Sequence, residues 1–192
     1  MKLNPDKLQE WARRVHENAC AHGWHEEGKS DAHWLCMVMT EVAEAVEADR
    51  KGQRANTQAM KETLRIQSEG FGLTEQWYKD WFTTYFKEYV KGSLEEEFAD
   101  ICIRIFDFAF EKFGENMTWV GYETEKPYPQ WTFTETAYYF QKNVLQSGYM
   151  NLTTAIMFVY EWANSLGIDL DFHIEAKMRY NESRPYKHGK AY

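Results

Sequence analysis

Two stretches decide the reading of this chain: Asp31–Lys51, DAHWLCMVMTEVAEAVEADRK, and Leu94–Lys112, LEEEFADICIRIFDFAFEK. In the first, Trp34, Leu35, Val38, Met39, Val42, Ala45 and Val46 recur at helical spacing; in the second, Phe98, Ile101, Cys102, Ile105, Phe106 and Ala109 do the same. A glycine follows each run, Gly52 and Gly114, where a helix would end. Ser93 stands as an N-cap before the second, and Glu96 three residues on predicts a capping box. Both stretches are predicted helices.

Each helix carries a spaced pair of acids. Glu41-Val42-Ala43-Glu44 and Glu97-Phe98-Ala99-Asp100 place their carboxylates three residues apart, so each pair shares one helix face. Apolar residues flank both pairs, which predicts acids at or beside the packed face. Glutamate is a good helix former, and such spacings are common on solvated helices. Two pairs embedded in apolar runs weigh against that reading. Like charges taken out of water are costly unless a cation or hydrogen-bond donors compensate them. The arrangement therefore predicts one or two hard cations with oxygen ligands. Mg²⁺ fits best, because it keeps waters and accepts phosphate oxygens; Mn²⁺ is its natural substitute. No histidine occupies the place that a Glu-x-x-His di-iron bundle requires.

Outward from these helices the rest of the chain also reads as all-α. Asn4 is a predicted N-cap, with Pro5 in the first helical position, for a helix to about His22 with the stripe Leu8, Trp11, Ala12 and Val15. Gly23 to Ser30 reads as a loop. Residues 53–91 are less regular, with Gly70, Gly72 and an aromatic patch from Trp77 to Phe86, and read as partly helical. With its boundary at residue 92, this segment is the expected insertion between the two acidic helices. Thr118 to Thr132, with Gly121, Pro127 and Pro129, predicts an ordered loop with a short hairpin. Helices are predicted for Glu135–Gly148, for Leu152–Leu166 and from Asp171 to before Pro185. The reading is a single domain, 1–192, with a basic tail at 185–192.

Hydrophobic residues make up 44% of the 192 and charged residues 27%, as in an ordinary folded protein. The net charge of −8 argues against binding a nucleic-acid polymer, and an anionic ligand would need a divalent cation between carboxylate and phosphate. The cysteines are Cys20, Cys36 and Cys102. Their odd number, without a CxxC pair, speaks against disulfides and against zinc and fits a reducing, cytoplasmic setting. No signal peptide or bilayer-spanning run is read from the sequence.

Three segments in order then resemble one family. Thr40-Glu41-Val42-Ala43-Glu44-Ala45, Glu96-Glu97-Phe98-Ala99-Asp100-Ile101 and Lys177-Met178-Arg179-Tyr180-Asn181-Glu182-Ser183-Arg184-Pro185 are similar to the EExxE…ExxD and KxxxNxxR motifs of MazG-like all-α nucleoside triphosphate pyrophosphohydrolases. The resemblance implies a helical bundle of the all-α NTP pyrophosphatase type, carrying the 53–92 insertion. It implies Mg²⁺-dependent cleavage of (d)NTP to (d)NMP and pyrophosphate, by a homodimer or a dimer of dimers. Glu41, Glu44, Glu97 and Asp100 correspond to the metal ligands, and Lys177, Asn181 and Arg184 match positions that help hold the triphosphate. Thr40 departs from the pattern, which has glutamate there, and the connection between the acidic helices is longer than in compact members. A nucleotide-binding or regulatory helical protein with weak or no turnover is the alternative expectation.

Glu41 and Glu44 are the candidates for general base, and the sequence does not choose between them. Arg104 and Asp107 continue the Glu97–Asp100 face. Arg104 either contacts phosphate while Asp107 adds to the metal shell, or, as surface pairs commonly do, bonds Asp107 within the helix. Among Trp24, Trp34, Trp77 and Trp81 a base-stacking residue is sought, although aromatics more often pack cores. The spacing of His22, His25 and His33 matches no standard metal-ligand pattern. No GxxxxGK[ST] stretch is present to cradle phosphates.

Overall fold

The helix starts follow from side chains that satisfy orphan backbone donors. Asn4 Oδ1 accepts from the Asp6 amide at 3.0 Å and opens α1, Pro5–Ala21, at the expected place. Ser30 Oγ accepts from the His33 amide at 3.3 Å and opens α2, Asp31–Lys51, which Gly52 closes in the left-handed region at φ 64°. The computed structural model describes residues 3–68, 74–120, 131–147 and 152–186, and every regular element among them is a helix. The remaining helices are α3, Thr57–Ser68; α4, Glu75–Tyr89; α5, Leu94–Phe113; α6, Phe133–Ser147; α7, Leu152–Ser165; and α8, Leu170–Glu182, with a short 3₁₀ turn, Gly114–Asn116, after α5. The all-α expectation is met. The hairpin expected near 118–132 and the tail beyond Tyr186 fall outside the described residues.

The expected capping box at α5 forms only in half. Ser93 Oγ accepts from the Glu96 amide at 3.2 Å, but the Glu96 carboxylate takes the Gly92 amide instead of that of Ser93. The reason is electrostatic: Glu96 is buried and its carboxylate also bonds Lys91 and Lys177.

α5 is the axis of the molecule. Leu94, Phe98, Ile101, Cys102, Ile105, Phe106 and Ala109 are all buried, and α1, α2, α7 and α8 pack around them. A helix buried this fully must be apolar on most of its circumference. Two of its buried polar residues take partners from other elements: Glu96 from Lys177 on α8, and Asp107 from His16 on α1 and His25 in the loop after it.

The segment read as less regular and partly helical holds two helices with a core of their own. Met60, Phe82, Phe86 and Val90 pack against Ala176 and Tyr180 of α8, with the Phe86 and Tyr180 rings stacked at 4.4 Å. The two ends of the segment are tied together: Leu94 N donates to Gln53 O at 2.9 Å, and Asn56 N donates to Tyr89 O at 2.8 Å. Buried Glu95 pins its entry, accepting from Arg54 Nε at 2.7 Å and the Ala55 amide at 2.8 Å. The helix α8 is thus packed between α5 and the α3–α4 pair. Among the described residues, no helix is long and apolar enough to cross a membrane.

Candidate functional site

The packing of α2 on α5 brings the acidic pairs together. Carboxylate oxygens of Glu41, Glu44 and Glu97 all lie within 4.8 Å of one another. Glu41 and Glu97 are buried, as expected of acids on a packed face; Glu44, one turn along α2 from Glu41, is exposed. Asp100 is intermediate, and its Oδ2 lies 2.6 Å from Lys177 Nζ.

Lys177 is 3% exposed and bridges Asp100 to Glu96. The two carboxylates hold its ammonium well above the usual lysine range, against the opposing effect of burial. Burial alone would raise Glu96, but Lys177 and Lys91 bring it below the ordinary carboxylate value. Burial pushes Asp100 up to about 6, with Glu41 and Glu96 adding to the rise and Lys177 opposing it. Glu97 goes further: burial, then Asp100 and Glu96, push it up to about 8.

Among the described residues, neither Glu44 nor Glu97 has a hydrogen-bond or ion-pair partner. Glu41 does: Arg104 Nε donates to its Oε1 at 2.8 Å. The intrahelical Arg104–Asp107 pair favoured from sequence is not formed. Arg104 crosses to α2, and Asp107 instead accepts from His16 Nδ1 at 3.0 Å and His25 Nε2 at 2.9 Å. A side chain on a helix packed on several sides finds its partner across an interface more readily than along its own turn.

Next to these groups lies a cavity of about 300 Å³ between α1, α2, α5 and α8, the lower end of the range for small-molecule sites. Its wall carries as many cationic as carboxylate side chains, in a chain of net charge −8. Glu41, Glu44, Asp100, Arg104, Lys177, Asn181 and Arg184 all line it. So of the eight residues singled out in the sequence, seven lie on this wall, and Glu97 lies within 4.8 Å of two of them. Among the described residues the Arg184 guanidinium has no carboxylate partner; it lies 5.8 Å from the centre of the Tyr180 ring. Asn181 Oδ1 and Trp34 Nε1 are buried polar atoms on this wall without a hydrogen-bond partner among the described residues. Such atoms are uncommon and call for a ligand or water. Trp24 and Trp34 line the cavity, whereas Trp77 and Trp81 do not.

Family models, curated proteins and solved structures were compared with the chain, and none matches. Function is therefore argued from the site itself.

The donor set suits a hard divalent cation. Three carboxylates converge, two have no partner among the described residues, and burial together with Asp100 and Glu96 pushes one of them, Glu97, up to about 8; a bound cation would favour its charged form. An oxygen-only set favours Mg²⁺ or Mn²⁺ over softer metals.

A pH dependence follows. With a folded-state value of about 8 against 4.5 for the free side chain, native Glu97 keeps a proton that the unfolded chain releases. Stability of the metal-free protein therefore falls as pH rises from 6.5 to 8, by about 1 kcal/mol per pH unit. His25, raised from 6.5 by its bond to Asp107 despite the opposing burial, adds to the fall. Below pH 6.5, His173 acts the other way: burial lowers it to about 4, so stability there gains as it deprotonates. Urea unfolding across this window is expected to show the decline in chelator. Saturating Mg²⁺, by taking the proton's place, is expected to flatten it. A flat profile without metal would contradict the assignment to Glu97.

Proposed function

We propose that this chain is a Mg²⁺-dependent nucleoside triphosphate pyrophosphohydrolase of the MazG-like, all-α kind, cleaving (d)NTP to (d)NMP and pyrophosphate. The observation that carries the reading is one cavity whose wall holds Glu44, with Glu97 within 4.8 Å of it, and Arg184, none of which has a side-chain ion-pair partner among the described residues. Phosphoanhydride hydrolysis needs charge neutralisation and positioning more than covalent chemistry, and such a wall supplies both. The three motifs of the sequence point the same way, and a homodimer belongs to the same proposal.

Bound Mg²⁺, or Mn²⁺ in its place, neutralises phosphate charge and makes a water more acidic. Glu41, Glu44 and Glu97 are the residues that hold it. Asp100, engaged by Lys177, orients the set from beside it. Lys177 enters as a buried counter-ion that fixes Asp100, acting on phosphate at second hand. Arg184 and Arg104 offer planar donors suited to phosphate oxygens, and Asn181 adds an uncommitted amide. Of the two candidate bases, Glu41 already gives an oxygen to Arg104, whereas Glu44 gives none to another described residue. Glu44 is therefore assigned to orient the attacking water and take its proton. The water oxygen bonds to phosphorus as the anhydride bond breaks, and pyrophosphate leaves with its charge held by Arg184.

A second reading, a nucleotide-binding protein with weak or no turnover, is favoured by Thr40. Its hydroxyl donates to Cys36 O at 3.1 Å and brings no carboxylate to the site. The test is pyrophosphate release from a panel of ribo- and deoxynucleoside triphosphates, with Mg²⁺, with Mn²⁺ and with chelator. Metal-dependent release supports the enzyme. Nucleotide-induced stabilisation without release moves the weight to the second reading. If neither Mg²⁺ nor any nucleotide changes the melting temperature, both readings fail.

A further inference from the structure

Further along α5, beyond Asp107 on the cavity wall, a second group of ligating side chains comes from three separate segments. His16 and Cys20 lie one turn apart on α1, His25 comes from the loop after it, and Glu111 lies one turn beyond Asp107 on α5. The ligand atoms of His16, Cys20 and His25 all fall within 4.8 Å of one another. His16 Nε2 is 3.5 Å from Cys20 Sγ and 3.8 Å from Glu111 Oε2, and His25 Nδ1 is 3.3 Å from the same Glu111 oxygen. A tetrahedral zinc ion with bonds of about 2.0–2.3 Å sets neighbouring ligand atoms about 3.3–3.7 Å apart. The His16–Cys20, His16–Glu111 and His25–Glu111 separations are close to those values.

Asp107 makes the arrangement more than a cluster. It is buried, and one of its two oxygens, Oδ1, accepts from both His16 Nδ1 at 3.0 Å and His25 Nε2 at 2.9 Å. In the neutral rings those nitrogens carry the hydrogens, so the lone pairs sit on His16 Nε2 and His25 Nδ1. These are the two nitrogens that face Glu111, and His16 Nε2 also faces Cys20. A carboxylate behind a ligating histidine fixes its tautomer and orientation, and its basicity rises; here one carboxylate serves two rings. The rings are further held by packing, His25 on Trp34 at 4.8 Å and His16 beside Phe110 at 5.2 Å.

We propose that His16, Cys20, His25 and Glu111 form a binding site for a borderline-soft divalent metal, Zn²⁺ first, with Asp107 as the positioning residue for both histidines. Two imidazoles and a thiolate discriminate against Mg²⁺, so this site and the all-oxygen one select different ions. No ligand is shared between them, and the inference does not rest on the pyrophosphohydrolase reading. Binding deprotonates the Cys20 thiol and releases one proton to solvent. Cys20 is exposed, which gives the ion a route in. The bound ion clamps the 22–30 loop, whose Trp24 and Lys29 line the cavity, onto α1 and α5. The odd, CxxC-free cysteine count speaks against zinc; this site departs from that expectation by using one cysteine among histidine and carboxylate ligands.

The test is Co²⁺ titration of the full chain after chelator treatment. One equivalent is expected to give tetrahedral ligand-field bands and a thiolate-to-cobalt charge-transfer band in the near ultraviolet, both lost on adding Zn²⁺. Cys20→Ser is expected to abolish the charge-transfer band and weaken Zn²⁺ binding at least about tenfold. Cys36→Ser and Glu97→Gln are expected to leave the band unchanged. Absence of the band in the unsubstituted chain, or its survival in Cys20→Ser, overturns the proposal. Cys20 is exposed, so its serine variant is expected to fold.

Discussion

Replacing Lys177 by Met is expected to lower stability by about 3–5 kcal/mol, the cost of removing one partner from a buried ion pair. Methionine matches the apolar stem of lysine, so packing is largely kept. What is lost is the charge between Asp100 and Glu96. Asp100, already raised to about 6, can take up a proton. Glu96 has less recourse: it is 1% exposed and would be left with the Gly92 amide and the solvent-facing Lys91 at 3.3 Å. The double variant Glu96→Gln/Lys177→Met removes both charges and is expected to recover most of the loss. Urea denaturation of the two single variants and the double one completes the cycle. Should Lys177→Met prove too unstable to fold, the double variant still decides the matter. A loss below about 1 kcal/mol would show that this ion pair does not hold α8 to α5.

The second large effect has opposite signs in two measurements. Glu97→Gln removes a charge that burial disfavours, so the metal-free protein at pH 8 is expected to gain about 1–3 kcal/mol. The same change removes a proposed metal ligand, and pyrophosphate release is expected to fall about a thousandfold, equivalent to about 4 kcal/mol of lost charge stabilisation. Stabilisation by Mg²⁺ is expected to vanish with it. Glu44→Gln gives the contrast: being exposed, it changes stability by no more than about 0.5 kcal/mol while turnover is lost. A Glu97→Gln protein that keeps both turnover and its response to Mg²⁺ would remove Glu97 from the site. A gain in stability with loss of function is a pattern that a merely structural carboxylate does not produce.

Local chemistry made α1, α2 and α5 legible. Asn4, Ser30 and Ser93 cap the helices they precede, Gly52 ends one, and the apolar spacing of α5 names its buried face. The carboxylate spacing likewise announced which acids share a face, and the fold brings three of them within 4.8 Å. What the sequence could not carry is partnership over long separations. Nothing near Lys177 in the chain indicates Glu96 or Asp100, and nothing near Asp107 indicates His16 and His25. The i, i+4 pair His16–Cys20 was a visible signal, but its third and fourth members arrive only when α1, the following loop and α5 meet. The 53–92 segment read as less regular than its neighbours because its apolar residues, Met60, Phe82 and Phe86, are arranged to meet α8 and form no stripe tied to the main core.

That last feature bears on how the chain can change over time. Tyr180 lies one turn from Lys177 on α8 and carries the stacked Phe86 ring on its outer side. Deleting residues 53–92 in one step would strip that ring away and expose Ala176 and Tyr180 to water. It would also remove Lys91 from Glu96 and the Arg54 contact from Glu95. A descendant lacking the segment would have to acquire a new polar surface for α8 and a new set of charges around Glu96 before it could fold. Loss of these forty residues is therefore a path closed to single events, and shortening must proceed, if at all, through compensating substitutions in α8 first.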